Sequence, residues 1–235
     1  MKSRGFRRLV LGAAFAVVPL LPCHGVGVSF TYLFPRNGSF AHPIAPLSLS
    51  DIGVSFGKYL GLAASASLLR IGGLGITDSA GTPVGDGPVL GPLTTVRLSA
   101  YLKVTVPVWR LTFTAAGGGF GFYSILPRLI EGNLDRLIAA SEGYDTVTSS
   151  MTFTNSPGYG LTFGGNVKVR VTDQVGIKAG AMYYVGRAPI RFSGSYVGAA
   201  SAATAEVVTE VPSVLREVRV DFRGIEISLG ADLEL

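Results

Sequence analysis

The chain of 235 residues has one cysteine, Cys23, and two histidines. One thiol cannot form an internal disulfide, and no Cys, His or carboxylate cluster has the spacing of a metal site. Charge is also scarce, with 15% Asp, Glu, Lys and Arg against about 25% in ordinary soluble proteins. Long apolar runs are missing beyond residue 25, where nothing approaches the roughly 20 residues of a spanning helix. These absences exclude a disulfide scaffold, a structural zinc domain and a helical membrane bundle.

The first 25 residues read as an export signal. Lys2, Arg4, Arg7 and Arg8 make a basic start, Leu9 to Leu21 an apolar stretch, and small residues stand around a cut after Gly25. That is the layout of a secretory signal peptide, too short to anchor in a membrane. Cys23 raises the rival reading of an acylated lipoprotein, but Pro22 stands where a small residue is required. Removing residues 1–25 takes four of the 20 basic residues, leaving 16 against 15 acids. The basic balance of the whole chain therefore belongs largely to the signal and gives no support for nucleic-acid binding. Residues 26–235 are expected to form one domain.

What the chain does have is glycine, 32 in all, and regular alternation. From Tyr159 to Thr172 the odd positions read Tyr, Leu, Phe, Gly, Val, Val, Val and the even ones Gly, Thr, Gly, Asn, Lys, Arg, Thr. Val96–Val106, Val175–Val185 and Ile225–Leu235 repeat the pattern. Period-two alternation is the signature of strands with one apolar face. A water-soluble barrel with its apolar face inside fits the same alternation, but its outer face would be crowded with Lys and Glu. Here the polar faces are mainly Gly, Ser and Thr, which suit a narrow interior. With little charge and no spanning helix, a closed barrel is the membrane architecture left, since lipid offers backbone groups no partner.

The spacing predicts eight strands near 26–34, 48–57, 60–70, 94–106, 110–123, 158–171, 175–187 and 222–235. Tight turns at 58–59, 107–109 and 172–174 alternate with long connections at 35–47, 71–93, 124–157 and 188–221. The expected fold is thus an all-β, eight-stranded, antiparallel up-and-down transmembrane barrel with short periplasmic turns and long extracellular loops. An even strand count puts both ends at the turn side, and the final strand closes on apolar Leu235. Tyr32, Tyr59, Trp109, Tyr123, Tyr159 and Tyr183 fall near strand ends, where ring side chains favour the membrane boundary; ordinary strand aromatics explain any single one equally well.

Three loops carry further expectations. Leu126, Leu129, Ile130, Leu134, Leu137 and Ile138 recur at helical spacing, which predicts a short helix over the barrel mouth. The second loop, rich in Gly and Pro from Gly72 to Pro92, is expected to be flexible and exposed. The fourth either extends strands seven and eight or forms another short helix. Gly117, Gly118, Gly119 and Gly121, beside Pro157-Gly158, mark either a lateral opening between strands five and six or a bulge that lets the barrel close. The one histidine after the signal, His42, precedes Pro43 and has no Ser or Asp partner on a strand, so no enzyme is expected.

The sequence resembles the OmpW family of small outer-membrane barrels. The likeness runs through Ile52–Phe56 and Tyr59–Leu62, Gly91–Thr95, Ala115–Tyr123, Gly158–Asp173, Met182–Tyr184 and Val220–Leu235. Two positions depart from the family pattern: Phe222 stands where proline is usual, and Leu235 replaces a terminal aromatic. The resemblance implies a bacterial outer-membrane location and a narrow, porin-like channel for passive uptake of small hydrophobic molecules. It implies Tyr101, Phe120, Phe122, Met182 and Tyr184 as lumen or mouth residues for apolar contact. It further implies a lower lumen blocked by ion pairs among Arg97, Lys103, Lys168, Arg170, Lys178, Glu226, Asp232 and Glu234. An eight-stranded barrel is just wide enough for its own side chains, so an open aqueous pore is not expected. The competing reading is a surface-exposed interaction barrel that binds host molecules through its loops; a purely structural role is a third. Expected partners are outer-membrane lipid, the assembly machinery during insertion, and a hydrophobic solute or host ligand, with no cofactor, metal or nucleic acid.

Overall fold

The computed structural model describes residues 26–39, 47–125, 127–201 and 204–233. The export signal, Cys23, His42, Leu126, Glu234 and Leu235 lie outside the described residues.

Ten strands and one helix carry the architecture: β1 (Val26–Pro35), β2 (Leu47–Phe56), β3 (Leu60–Ile71), β4 (Leu93–Val108), β5 (Leu111–Ile125), α1 (Glu131–Glu142), β6 (Thr146–Asn155), β7 (Gly158–Arg170), β8 (Val175–Ser201), β9 (Thr204–Val208) and β10 (Arg219–Leu233). Eight of them close a ring, β1–β2–β3–β4–β5–β7–β8–β10, and β10 returns to β1. Closure is made by an unbroken ladder from Val26↔Leu233 to Pro35↔Gly224. No sheet edge is then left within the ring for lipid to face, which is the condition for spanning a bilayer with strands. The pairing of Val26 with Leu233 also puts both described ends on the rim that carries the tight turns.

Side-chain parity follows the alternation. On β10, Ile225, Ile227, Leu229 and Leu233 are 50–60% exposed, while Glu226 and Asp232 between them are buried. Leu98, Leu102, Val104 and Val106 on β4 face out in the same way. A globular protein in water would bury such rows. Here they form the apolar band of a membrane barrel. Three of the strand-five glycines, Gly117, Gly119 and Gly121, lie on this outer face, each directly opposite Phe163, Leu161 or Tyr159 of β7.

The glycine-rich edge is neither an opening nor a bulge. β5 and β7 pair without a register shift from Gly158↔Phe122 to Val169↔Leu111. The ring's irregularity lies elsewhere, in β2, where the register with β3 shifts between Leu49 and Ile52.

Above the membrane band the chain builds more than the sequence predicts. β8 runs 27 residues, well past the roughly 9–11 a spanning strand needs. Its upper half carries β6 on one side and β9 on the other. The fourth loop thus extends strand seven and also contains a 3-10 turn at Ser213–Leu215.

The helix forms where its periodicity places it. Leu134 and Ile138 are fully buried, Gly143 ends the helix in a left-handed conformation at φ 78°, and its N–H bonds the Ala139 carbonyl at 3.0 Å. Asp135 accepts from Ser149 N–H at 2.9 Å and Asn133 donates to the Pro88 carbonyl at 2.6 Å, which ties α1 to β6 and to the second loop. That second loop is exposed only in its middle, over most of residues 79–86, and its two ends are buried. Leu74, Ile76, Val89 and Leu90 are at most 2% exposed, because the loop folds into the mouth: Ile76–Thr77 pair with Val220–Arg219, and residues 89–91 pair with 128–130. Its apolar residues find a dry space there that no local sequence rule announces.

Candidate functional site

The lumen divides into an apolar outer half and a polar inner half. In the outer half Phe120 and Phe122 point inward from β5, two residues apart on the same face. The Phe122 and Phe222 rings stack with centroids 4.4 Å apart; Phe120 meets Tyr184 edge-on at 5.0 Å and Phe222 at 5.6 Å. All four are buried, and Phe222 is fully so. Offset and edge-to-face contacts of this kind add about 0.5–1.5 kcal/mol per pair beyond area burial. Space for the rings comes from glycines on the facing strands: a Cβ on Gly160 or Gly186 would lie 2.8 or 2.5 Å from the Phe120 ring.

Directly beneath lies a charged floor. Arg97 on β4 pairs with Glu226 on β10, its Nη2 donating to Oε1 at 3.0 Å and its Nη1 reaching Oε2. The same Nη2 donates to Ser67 Oγ at 2.8 Å, Ser48 donates to Ser67 at 2.8 Å, and Thr31 meets Ser48 at 2.9 Å. Tyr184 completes the floor: its hydroxyl donates to Glu226 Oε1 at 3.3 Å, and the Arg97 guanidinium sits 4.1 Å above its ring. Six of the eight ring strands are bound together by these contacts. A buried pair needs such extra hydrogen bonds to offset its desolvation.

Lower down, Lys178 pairs with Asp232 at 3.1 Å and donates to Ser50 at 2.9 Å. Between the two pairs is a polar cavity of about 60 Å³, lined by Ser29, Ser65, Tyr101, Met182 and their neighbours. At the turn end a larger polar vestibule of about 310 Å³ opens among Ser55, Lys58, Tyr59, Lys103, Lys168 and Asp232.

The structure therefore separates the sequence-derived candidates. Phe120, Phe122 and Tyr184 come together in one cluster. Tyr101 lines the polar cavity below it, while Met182 lines that cavity and also packs against the apolar cluster. Arg97 joins Glu226 and Lys178 joins Asp232, whereas Lys103 and Lys168 line the vestibule. Arg170 departs from the expectation: it is the last residue of β7, exposed at the turn rim, beyond the depth at which neighbouring strands cover an inward side chain. Glu234 lies outside the described residues. Phe222 is the residue sequence reasoning missed. It shares the inward parity of Glu226 and Ser228, the one signal that would have found it.

No protein-family model matches the sequence, and no curated protein matches it. Among solved structures the chain is similar to the outer membrane protein OprG of Pseudomonas aeruginosa, at 10% identity and TM-score 0.49, over 89% of this chain and 95% of that one. It is similar to Ail, the attachment invasion locus protein of Yersinia pestis, at 12% identity and TM-score 0.38, over 89% and 94%. It is also similar to E. coli outer membrane protein W, at 9% identity and TM-score 0.37, over 91% and 98%. The barrel assignment stands on the closed ladder, the tight-turn rim and the outward apolar rows. By these the chain is an eight-stranded transmembrane barrel of the outer-membrane type.

Proposed function

We propose that this outer-membrane barrel takes up small hydrophobic molecules from the loop side and does not conduct water-filled current. The observation that carries the reading is the Phe120–Phe122–Phe222–Tyr184 cluster standing inside the lumen directly above the Arg97–Glu226 floor. Apolar surface inside a membrane barrel is unusual, because such interiors are generally polar. An apolar solute reaches these rings by displacing the second-loop residues Leu74, Ile76, Val89 and Leu90, which are buried in the same cluster. An ion meets a neutralised, hydrogen-bonded plug. No catalytic role is assigned to the chain.

The test is uptake of an apolar fluorescent probe by liposomes carrying the purified chain. Uptake exceeds that of protein-free liposomes and falls when Phe120 and Phe222 are both changed to Ser, while single-channel current stays near baseline. Uptake equal to protein-free liposomes, or unchanged in the double variant, rejects the reading.

A second reading, an interaction barrel, is favoured by the β6–β8–β9 sheet. It continues past the ring and ends in two edge strands, β6 and β9, and an edge strand is a template for an added strand from a partner. Deleting the β9 segment then abolishes partner binding and leaves probe uptake intact.

A further inference from the structure

Lysine is confined to one end of the barrel. Beyond residue 25 the chain has four lysines, Lys58, Lys103, Lys168 and Lys178. All four lie in the turn-end vestibule or the lower lumen. At the loop end of the apolar band the outward positions use arginine instead. On β3 the row ending at Leu68 continues with Arg70; beyond β1, Phe34 is followed two residues on by Arg36. On β8 Val185 is followed by Arg187, and on β10 Ile225 is preceded by Arg223. Each step is two residues, one outward position, from apolar to arginine.

Around β8 and β10 this collar thickens into a patch. Cross-strand pairing sets Arg187 opposite Asp221, Arg219 opposite Pro189 and Arg223 opposite Val185, while Arg36 N–H bonds the Arg223 carbonyl at 2.7 Å. Arg191 lies one outward position above Pro189. Asp221 is the one acid on these rows, and it is spent. Its side chain is 0% exposed and is gripped by Arg223 through Nε–Oδ1 at 2.7 Å and Nη2–Oδ2 at 2.8 Å. Among the described residues, Arg36, Arg187, Arg191 and Arg219 form no ion pair. Arg191 and Arg219 are exposed.

We propose that this patch binds the phosphate groups of an outer-leaflet lipid whose acyl chains run down the apolar rows below it. Charge complementarity argues for phosphate, and the choice of arginine over lysine argues for it further: the guanidinium fork holds two phosphate oxygens at once and is more weakly hydrated than an ammonium. Continuity with Tyr183, Val185, Ile225 and Ile227 argues for a lipid rather than a free anion, since one molecule then satisfies both surfaces. The inference rests on the outer-membrane reading, with the loops facing outward.

The experiment uses the purified full chain in neutral detergent and native mass spectrometry with three probes: bis-phosphorylated lipid A, its dephosphorylated counterpart and inorganic phosphate. The wild type binds the bis-phosphorylated lipid, prefers it over the dephosphorylated one, and is not competed by millimolar phosphate. In R187Q/R191Q/R219Q that affinity falls at least about tenfold, whereas K58Q/R110Q at the opposite rim leaves it unchanged. Folding of each variant is checked by heat-modifiable gel mobility. If the triple variant does not fold, R191Q and R219Q, both at exposed positions, are read singly and each weakens binding. Equal binding of the phosphorylated and dephosphorylated lipids overturns the proposal, as does unchanged affinity in the variants. Competition by free phosphate at similar affinity overturns it in favour of a simple anion site. Loss of apolar-probe uptake with lipid binding intact removes the transport reading and leaves this one standing.

Discussion

Arg97 and Glu226 are 129 residues apart in the chain and joined side by side in the lumen, two guanidinium nitrogens on two carboxylate oxygens. Each is at most 5% exposed. Removing one partner leaves the other buried and unpaired, so Glu226→Leu alone costs about 3–5 kcal/mol. The double change R97M/E226L recovers most of that loss, because an apolar pair of similar size needs no compensation. Urea unfolding in detergent micelles reads both; a double variant as unstable as the single one refutes the account.

Neighbouring glycines on β5 answer alanine differently. At Gly118 a Cβ would sit 2.1 Å from the Ala100 carbonyl oxygen and 2.6 Å from Tyr101 Cα, whereas at Gly119 the nearest atom is 3.7 Å away. Gly118→Ala therefore loses about 1–3 kcal/mol to backbone displacement. Gly119→Ala is neutral or gains up to about 1 kcal/mol from the reduced freedom of the unfolded chain. Unfolding midpoints of the two variants, measured side by side, decide it.

Asp78 sets the acid limit of the second loop. Its Oδ1 accepts N–H bonds from Gly81 at 2.7 Å and Thr82 at 2.8 Å. The Thr82 N–H foremost, with Gly81 and Ala80, holds the carboxyl below its ordinary value of 3.8. A depressed carboxyl contributes stability that is present above its unfolded-state value and lost as pH falls through the folded one. The 78–82 turn is thus intact at pH 5 and opens only below the ordinary carboxylate range. NMR titration of the Asp78 carboxyl gives the midpoint; an ordinary or raised value contradicts the assignment. Asp78→Ala opens the same turn to protease at neutral pH.

Leu102 stands at the middle of the outward row of β4, 67% exposed. Leu102→Arg places a charge near the lipid midplane and costs about 2–4 kcal/mol. The folded fraction in liposomes, against the same change at Tyr101 on the inward face, measures the difference. Equal effects at the two positions would reverse the assigned orientation of the wall.

Much of the wall was legible from the chain alone. The period-two pattern placed the eight ring strands and assigned Arg97, Lys178, Glu226 and Asp232 to one face, since parity is a local property of extended backbone. The tight turns followed for the same reason. β6 was missed although Thr146, Thr148, Ser150, Thr152 and Thr154 alternate with Val147, Met151 and Phe153, because that segment lies inside a connection already spoken for by a helix.

Which charge meets which is another matter. Arg97 and Lys178 each had Glu226 and Asp232 as partners of equal parity; the stagger with which the ring closes set their depths and chose between them. Burial of Leu74, Ile76, Val89 and Leu90 likewise depends on a mouth that exists only once the ring is shut. The same holds for the packing of Phe222 on Phe122. Local pattern determines which way a side chain points. Only closure of the barrel decides what it finds there, because that contact joins strands far apart in sequence.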